Sequence, residues 1–232
     1  MKTMFVMPSR SGKLRYDSSI QHTTGCIIDD LIDALPDPKD LTADARRGII
    51  ARYTAVLEGN FIYWMTAALL SVGSQEASSI MLENLNEEVR DAHPAMLRRF
   101  AIAAHAFPTK EDALAVHEEL TDVRMFFGRL SGIQSVLTMA FLEGYIQKFM
   151  VYLANLAESQ GSVETEYTDV HGLCDIEHTY GLFRALELEI AINPPTAEQD
   201  ILEGVFILRT LLQAIVHPTG AKNSANPSQS FS

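Results

Sequence analysis

Residues 170–178 read VHGLCDIEH and set His171, Asp175 and His178 four and three positions apart. An α-helix turns about 100° per residue, so those steps return Asp175 and His178 to within roughly 40° of His171. One helix face then carries two imidazoles and a carboxylate, stacked over two turns. That donor set suits iron, zinc or manganese. It also suits a solvated polar stripe, or a His–Asp hydrogen-bonded pair in a core. What decides between them is whether donors from other helices converge on the same place.

The rest of the chain reads as helix. A pattern over about 19–35 stops at Pro36 and Pro38. Thr42 is a good N-cap for a long helix over about 43–72, ending near Gly73. Ser74 restarts the chain into a helix over about 75–105, and Thr109 with the following KEDA caps another to about 129. Further helices are expected over about 131–159, 166–192 and, capped by Thr196, 197–217. No stretch shows the period-two alternation of a strand. The expectation is an all-α bundle of about seven helices forming one domain over 19–217, with a loosely ordered segment at 1–18 and a disordered polar tail at 218–232.

Composition narrows the function. The chain has 232 residues, 47% of them apolar, enough for one sizeable core. A net charge of −12 argues against nucleic acid or an anionic membrane surface as a partner, because both need a basic face. Cys26 and Cys174 show neither metal-knuckle nor redox spacing. The N-terminal MKTMFVMPSRSGKLRYDSS does not read as a signal peptide, and the longest apolar run, FIYWMTAALLSV, is too short to span a bilayer. A reducing, cytoplasmic setting is expected.

Other donors lie in apolar helical patterns. Glu143 sits midway along VLTMAFLEGYIQKFMVYL. It is either on a solvent stripe with Gln147 or buried, and burial would require a partner or a metal. Glu58 and Glu88 lie 15 residues either side of Gly73, so equal rise on the two arms of a helical hairpin puts them at one height. Glu87 competes directly with Glu88 for the inward position. His93 follows Glu88 by five residues, about 140° away on a regular helix. Pro94 disfavours α geometry at His93 and removes a ladder hydrogen bond. A single π-type insertion would bring Glu88 and His93 onto one face, so an irregular turn is expected there.

Taken together, these segments resemble the haem-oxygenase-like di-iron oxidases, seven-helix proteins that bind two irons and no haem. The resemblance covers about residues 42–217 and rests on LENLNEEVRDAHPAMLRRF, MAFLEGYIQKF and HGLCDIEH. It implies iron ligation by Glu88, His93, Glu143, His171, Asp175 and His178, with Glu58 where some members add a carboxylate. It also implies two Fe(II) ions, O2 as co-substrate and a small-molecule substrate, and it is compatible with a homodimer. The implied activity is N-oxygenation or oxidative C–C cleavage of a small amine- or carboxylate-bearing, amino-acid-derived substrate in specialised metabolism. Formation of an aromatic amine from the protein's own side chains is a third reaction type in the family. A substrate carboxylate would want an arginine, and Arg52, Arg90, Arg124, Arg129 and Arg184 are candidates. Two other readings stay open: a metal-free, thiaminase-like hydrolase or oxidase on the same fold, and a non-catalytic helical interaction protein, which would splay the supposed ligands into solvent.

Overall fold

The computed structural model describes residues 10–195 and 198–218. Every regular element among these residues is helical, and the expected all-α bundle is found. The helices are α1 (Arg10–Asp33), α2 (Ala43–Ser71), α3 (Gln75–Arg90), α4 (His93–Ala103), α5 (Lys110–Leu114), α6 (His117–Phe127), α7 (Gly132–Glu158), α8 (Glu166–Ile192), α9 (Glu198–Ile201) and α10 (Glu203–Val216). The caps read from the sequence are in place. Thr42 Oγ1 accepts from Ala45 N at 3.2 Å, and Ser74 Oγ accepts from Ala77 N at 3.2 Å. Thr109 and Asp112 form a reciprocal capping box. The expected cap Thr196, and the expected loose segment and tail at 1–9 and 219–232, lie outside the described residues.

Two expectations need correction. Helix α1 begins at Arg10, so residues 10–18 are helical rather than loose. Three of the seven expected helices are each divided in two: 75–105 at Asp91–Ala92, 109–129 at residues 115–116, and 197–217 at Leu202. The first division replaces the expected π-type insertion. Asp91 ends α3, Ala92 takes the left-handed conformation (φ 55°, ψ 42°), and α4 starts at His93 with Pro94 in its first turn. Proline is favoured there because its missing N–H would be unpaired anyway.

α7 is buried on nearly every face, as its apolar composition requires. It packs along α8 and α2, with α1 and α10 against other faces; α3 and α4 lie on α8 and α2. A buried carboxylate fixes the register. Glu189 Oε1 accepts from Ser74 N at 2.6 Å and its Oε2 from Gly73 N at 3.1 Å, tying the α2–α3 turn to the end of α8. Both helices rise about 1.5 Å per residue. Counting equally from Ser74 along α3 and back from Glu189 along α8 brings Glu88 level with Asp175. No helix among the described residues is long and apolar enough to cross a membrane.

Ala92 is exposed, so its methyl group adds strain without packing. The left-handed conformation costs an L-residue about 1–2 kcal/mol, and glycine relieves it at some cost in unfolded-chain entropy. Ala92→Gly should therefore raise Tm by roughly 1–4 °C in calorimetry. A fall in Tm would show that the break is not strained.

Candidate metal centre

Four helices supply the donors. Glu88 comes from the last turn of α3, His93 opens α4, Glu143 lies mid-α7, and His171, Asp175 and His178 share one face of α8. All six are at most 4% exposed. The break at Ala92 swings His93 back over Glu88, and His93 Nδ1 donates to Glu88 Oε1 at 2.8 Å. The His93 and His171 rings meet edge-on with centroids 4.5 Å apart.

The donors fall into two adjoining sets. In one, single ligand atoms of Glu88, His93 and His171 all lie within 4.8 Å of one another. In the other, the same holds for Cys174, Asp175 and His178. Glu143 joins the second set, its Oε1 3.7 Å from His178 Nδ1, while Asp175 Oδ1 is 4.0 Å from the same nitrogen.

Hydrogen bonds around the rim aim these atoms inward. His178 Nε2 lies 2.8 Å from Glu87 Oε2. A carboxylate only accepts, so Nε2 carries a proton, and in the neutral ring Nδ1 is the free acceptor. His171 Nδ1 donates to the carbonyl of Tyr167 at 2.9 Å, leaving Nε2 free. Such partners are what orient metal-binding histidines. Cys174 Sγ donates to Asp175 Oδ1 at 3.2 Å. Three buried side-chain atoms of the centre then have no hydrogen-bond partner: Glu143 Oε1, Asp175 Oδ2 and His178 Nδ1. Buried orphan acceptors are costly, and here they converge.

Electrostatics agree. Burial, reinforced by the charges of Asp175 and Glu88, pushes the Glu143 carboxyl well above its ordinary range. Burial and Glu88 push Asp175 up as well, against the Cys174 hydrogen bond. Burial holds His171 down at about 4, so it is neutral at physiological pH. Burial also acts to lower His93, but its bond to Glu88 and that residue's charge prevail and raise it. No lysine or arginine sits among the six. Three carboxyls and three imidazoles form a hard N/O donor set of the kind that takes a divalent transition metal. Without a metal, burial and then the charge of Asp175 push the Cys174 thiol up, so it stays protonated and donates to Asp175.

Several sequence-level candidates sit elsewhere. Glu58 is not brought into the cluster; Arg98 Nε donates to its Oε1 at 2.6 Å on the outside of the bundle. Leu57 and Phe61 face the centre from α2 instead. The height argument fixed where Glu58 lies along its helix but not which way it points. The five arginines are engaged away from the donors: Arg52 with the Ile215 carbonyl, Arg90 with Asp91, Arg124 with Asn60, Arg129 with Glu203, and Arg184 with Glu187. Of the competing pair, Glu88 points in, while Glu87, its side chain 37% exposed, grips His178 from the rim. Sequence reasoning weighed Glu87 only as a rival ligand. It also passed over Tyr167, whose ring packs on His171 at 4.2 Å and whose hydroxyl meets that of Tyr53 at 2.9 Å. The position of Tyr167, four residues before His171, was the available signal.

The sequence pattern of the iron-containing redox enzyme family is matched over residues 29–211, most of the chain, and the chain belongs to that family. No curated protein matches the chain.

The raised carboxyls have a consequence for stability. Their ordinary values are 4.5 and 3.8, and their folded values are higher. The folded metal-free protein thus holds protons that the unfolded chain releases. The stability this gives is complete below about pH 4 and is lost as pH rises through the folded values. Glu143→Gln should therefore raise the Tm of metal-free protein more at about pH 8 than at about pH 5, while abolishing most of the Tm increase that Fe(II) gives wild type under anaerobic conditions. Destabilisation of the metal-free variant at both pH values would contradict the assignment.

Proposed function

We propose that this iron-containing redox enzyme is a non-haem di-iron oxidase or oxygenase. It uses O2 to oxidise a small amine- or carboxylate-bearing, amino-acid-derived substrate, by N-oxygenation or oxidative C–C cleavage, in specialised metabolism. One observation carries the reading: donor atoms from four helices are buried together, and three of them are left without a hydrogen-bond partner. Glu88, His93 and His171 would hold one iron, and Glu143, Asp175 and His178 the other. Bound Fe(II) supplies the electrons and open coordination positions that O2 reduction requires.

The chain's own residues contribute orientation and a dry environment. Glu87 and the Tyr167 carbonyl keep His178 and His171 in single tautomers, with the bare nitrogen inward. Cys174 occupies one oxygen of Asp175 and leaves the other free. Leu57, Phe61, Leu97 and Ile146 close the Glu88–His93–His171 side with apolar surface. That excludes bulk water and strengthens each electrostatic contact. The carboxylates offset the charge of two cations, and a reducing, cytoplasmic setting suits both Fe(II) and two free cysteines.

The rival readings fit less well. An interaction module would expose these six side chains, whereas they are buried. A thiaminase-like nucleophile needs an activated thiol, whereas burial and Asp175 keep Cys174 protonated.

Anaerobic reconstitution should load about two Fe(II) per chain, measured by elemental analysis, as the two donor sets require. His171→Ala should load fewer, and its O2 uptake in the presence of an amino-acid panel should fall at least a hundredfold. Wild-type protein that takes up one iron or none, or a His171→Ala protein with normal loading and turnover, would refute the proposal.

A further inference from the structure

The space beside the centre is strongly one-sided. On the Glu88–His93–His171 side the cavity holds only about 20 Å³, room for little more than a water. On the other side, α1, α7 and α8 form an open cleft of about 270 Å³, with Asp175 in its wall and the exposed Ile176 and Tyr180 among its lining. Small-molecule sites begin near this size. Its ends differ in kind. Asp175 is fully buried, whereas Lys148 on α7 is 43% exposed and is, among the described residues, the only cationic side chain in the lining. Ile28, Ile176 and Phe183 give it apolar walls. Thr179 Oγ1, also in the wall, is buried without a partner.

We propose that this cavity is the substrate chamber, and that it takes a small carboxylate-bearing molecule whose carboxylate is received by Lys148 and whose other end lies beside Asp175. The proposal rests on the metal-dependent reading of the adjoining centre and identifies the substrate class for it. Gly144 and Lys148, four residues apart, lie on one face of α7 with a rise of roughly 6 Å between them, which suits a short chain laid along that face. Lys148 pairs with Asp29, but both are largely exposed. Exposed ion pairs contribute little, so exchange of Asp29 for a substrate carboxylate is inexpensive. Lys148 thereby takes the role for which the five arginines were candidates. Two glycines line the cleft, one where α1 packs tightly on α7 and one facing open space. A Cβ at Gly144 would stand 3.0 Å from Ile28 Cδ1, and one at Gly25 would meet nothing within 4 Å. A large side chain at Gly25 therefore enters the cavity without displacing the helix that carries it.

The test is isothermal titration of the anaerobic, Fe(II)-reconstituted protein with straight-chain carboxylates from butanoate to decanoate, and with primary amines of matching length. Iron content is measured on the same samples. Carboxylates should bind saturably and more tightly than the matching amines. Lys148→Met should weaken them about tenfold. Gly25→Leu should remove binding while keeping the wild-type iron content and Tm. The proposal is overturned if no carboxylate binds wild type, if amines bind as well, or if either variant leaves carboxylate affinity unchanged. Those outcomes with two irons per chain reject the chamber alone, whereas iron-free wild-type protein rejects the di-iron reading itself.

Discussion

Three carboxyl groups buried beside three imidazoles, with no lysine or arginine among them, set the terms for the rest of this fold. An ionised carboxylate in an apolar interior is unfavourable unless paired. Without a cation, Glu143 and Asp175 meet that requirement by holding protons, and the raised values of both groups express it. A divalent cation meets it by charge. The arrangement is therefore poor as a purely structural core and well suited to metal. Replacing it with apolar side chains would be expected to stabilise the bundle, so the cluster is better explained by chemistry than by folding.

The scaffold holds these groups by register rather than by local contacts alone. Glu189 locks the α2–α3 turn to α8, and equal helical rise carries that lock down to the level of Glu88 and Asp175. The Glu87–His178 bond closes the same pair of helices at the site. Between the two ties, α3 and α8 cannot slide by a turn without exposing a buried carboxylate at one end and an imidazole at the other. The left-handed residue Ala92 stands where α3 must stop for His93 to reach Glu88. Strain of this kind persists where the surroundings over-determine it, and it gathers at functional sites.

The parts of this organisation that follow helical periodicity were legible in the sequence. His171, Asp175 and His178 share a face because four and three residues are close to whole turns, and the structure keeps that helix unbroken. Glu143 stood out because it interrupts an apolar run. Azimuth was not legible where two positions compete or where only height was known. Adjacent Glu87 and Glu88 differ by one step of helix rotation, and only the tertiary partner distinguishes them. Glu58 failed for the same reason: Leu57 faces the centre, and its neighbour is turned toward Arg98. The irregularity before Pro94 was foreseeable from proline chemistry. Its form was not, because a π-type insertion and a left-handed break both reconcile Glu88 with His93.

Hydrogen-bond satisfaction separates the two flanks of the centre. On the Tyr167 flank every polar group of the tyrosine pair is answered: the Tyr53 and Tyr167 hydroxyls bond each other, and the Tyr167 carbonyl takes His171 Nδ1. Rings of Phe100 and Phe149 pack around them, so nothing there calls for water or ligand. On the α1–α7–α8 flank, Asp175 Oδ2 and Thr179 Oγ1 are buried and unanswered, and both residues line the cleft. A protein interior avoids such atoms, and a fold selected for stability alone would have paired them or replaced them. The closed flank thus supplies rigidity and low polarity, the open one supplies room and unmet hydrogen-bonding capacity, and the six donors lie at the boundary between them.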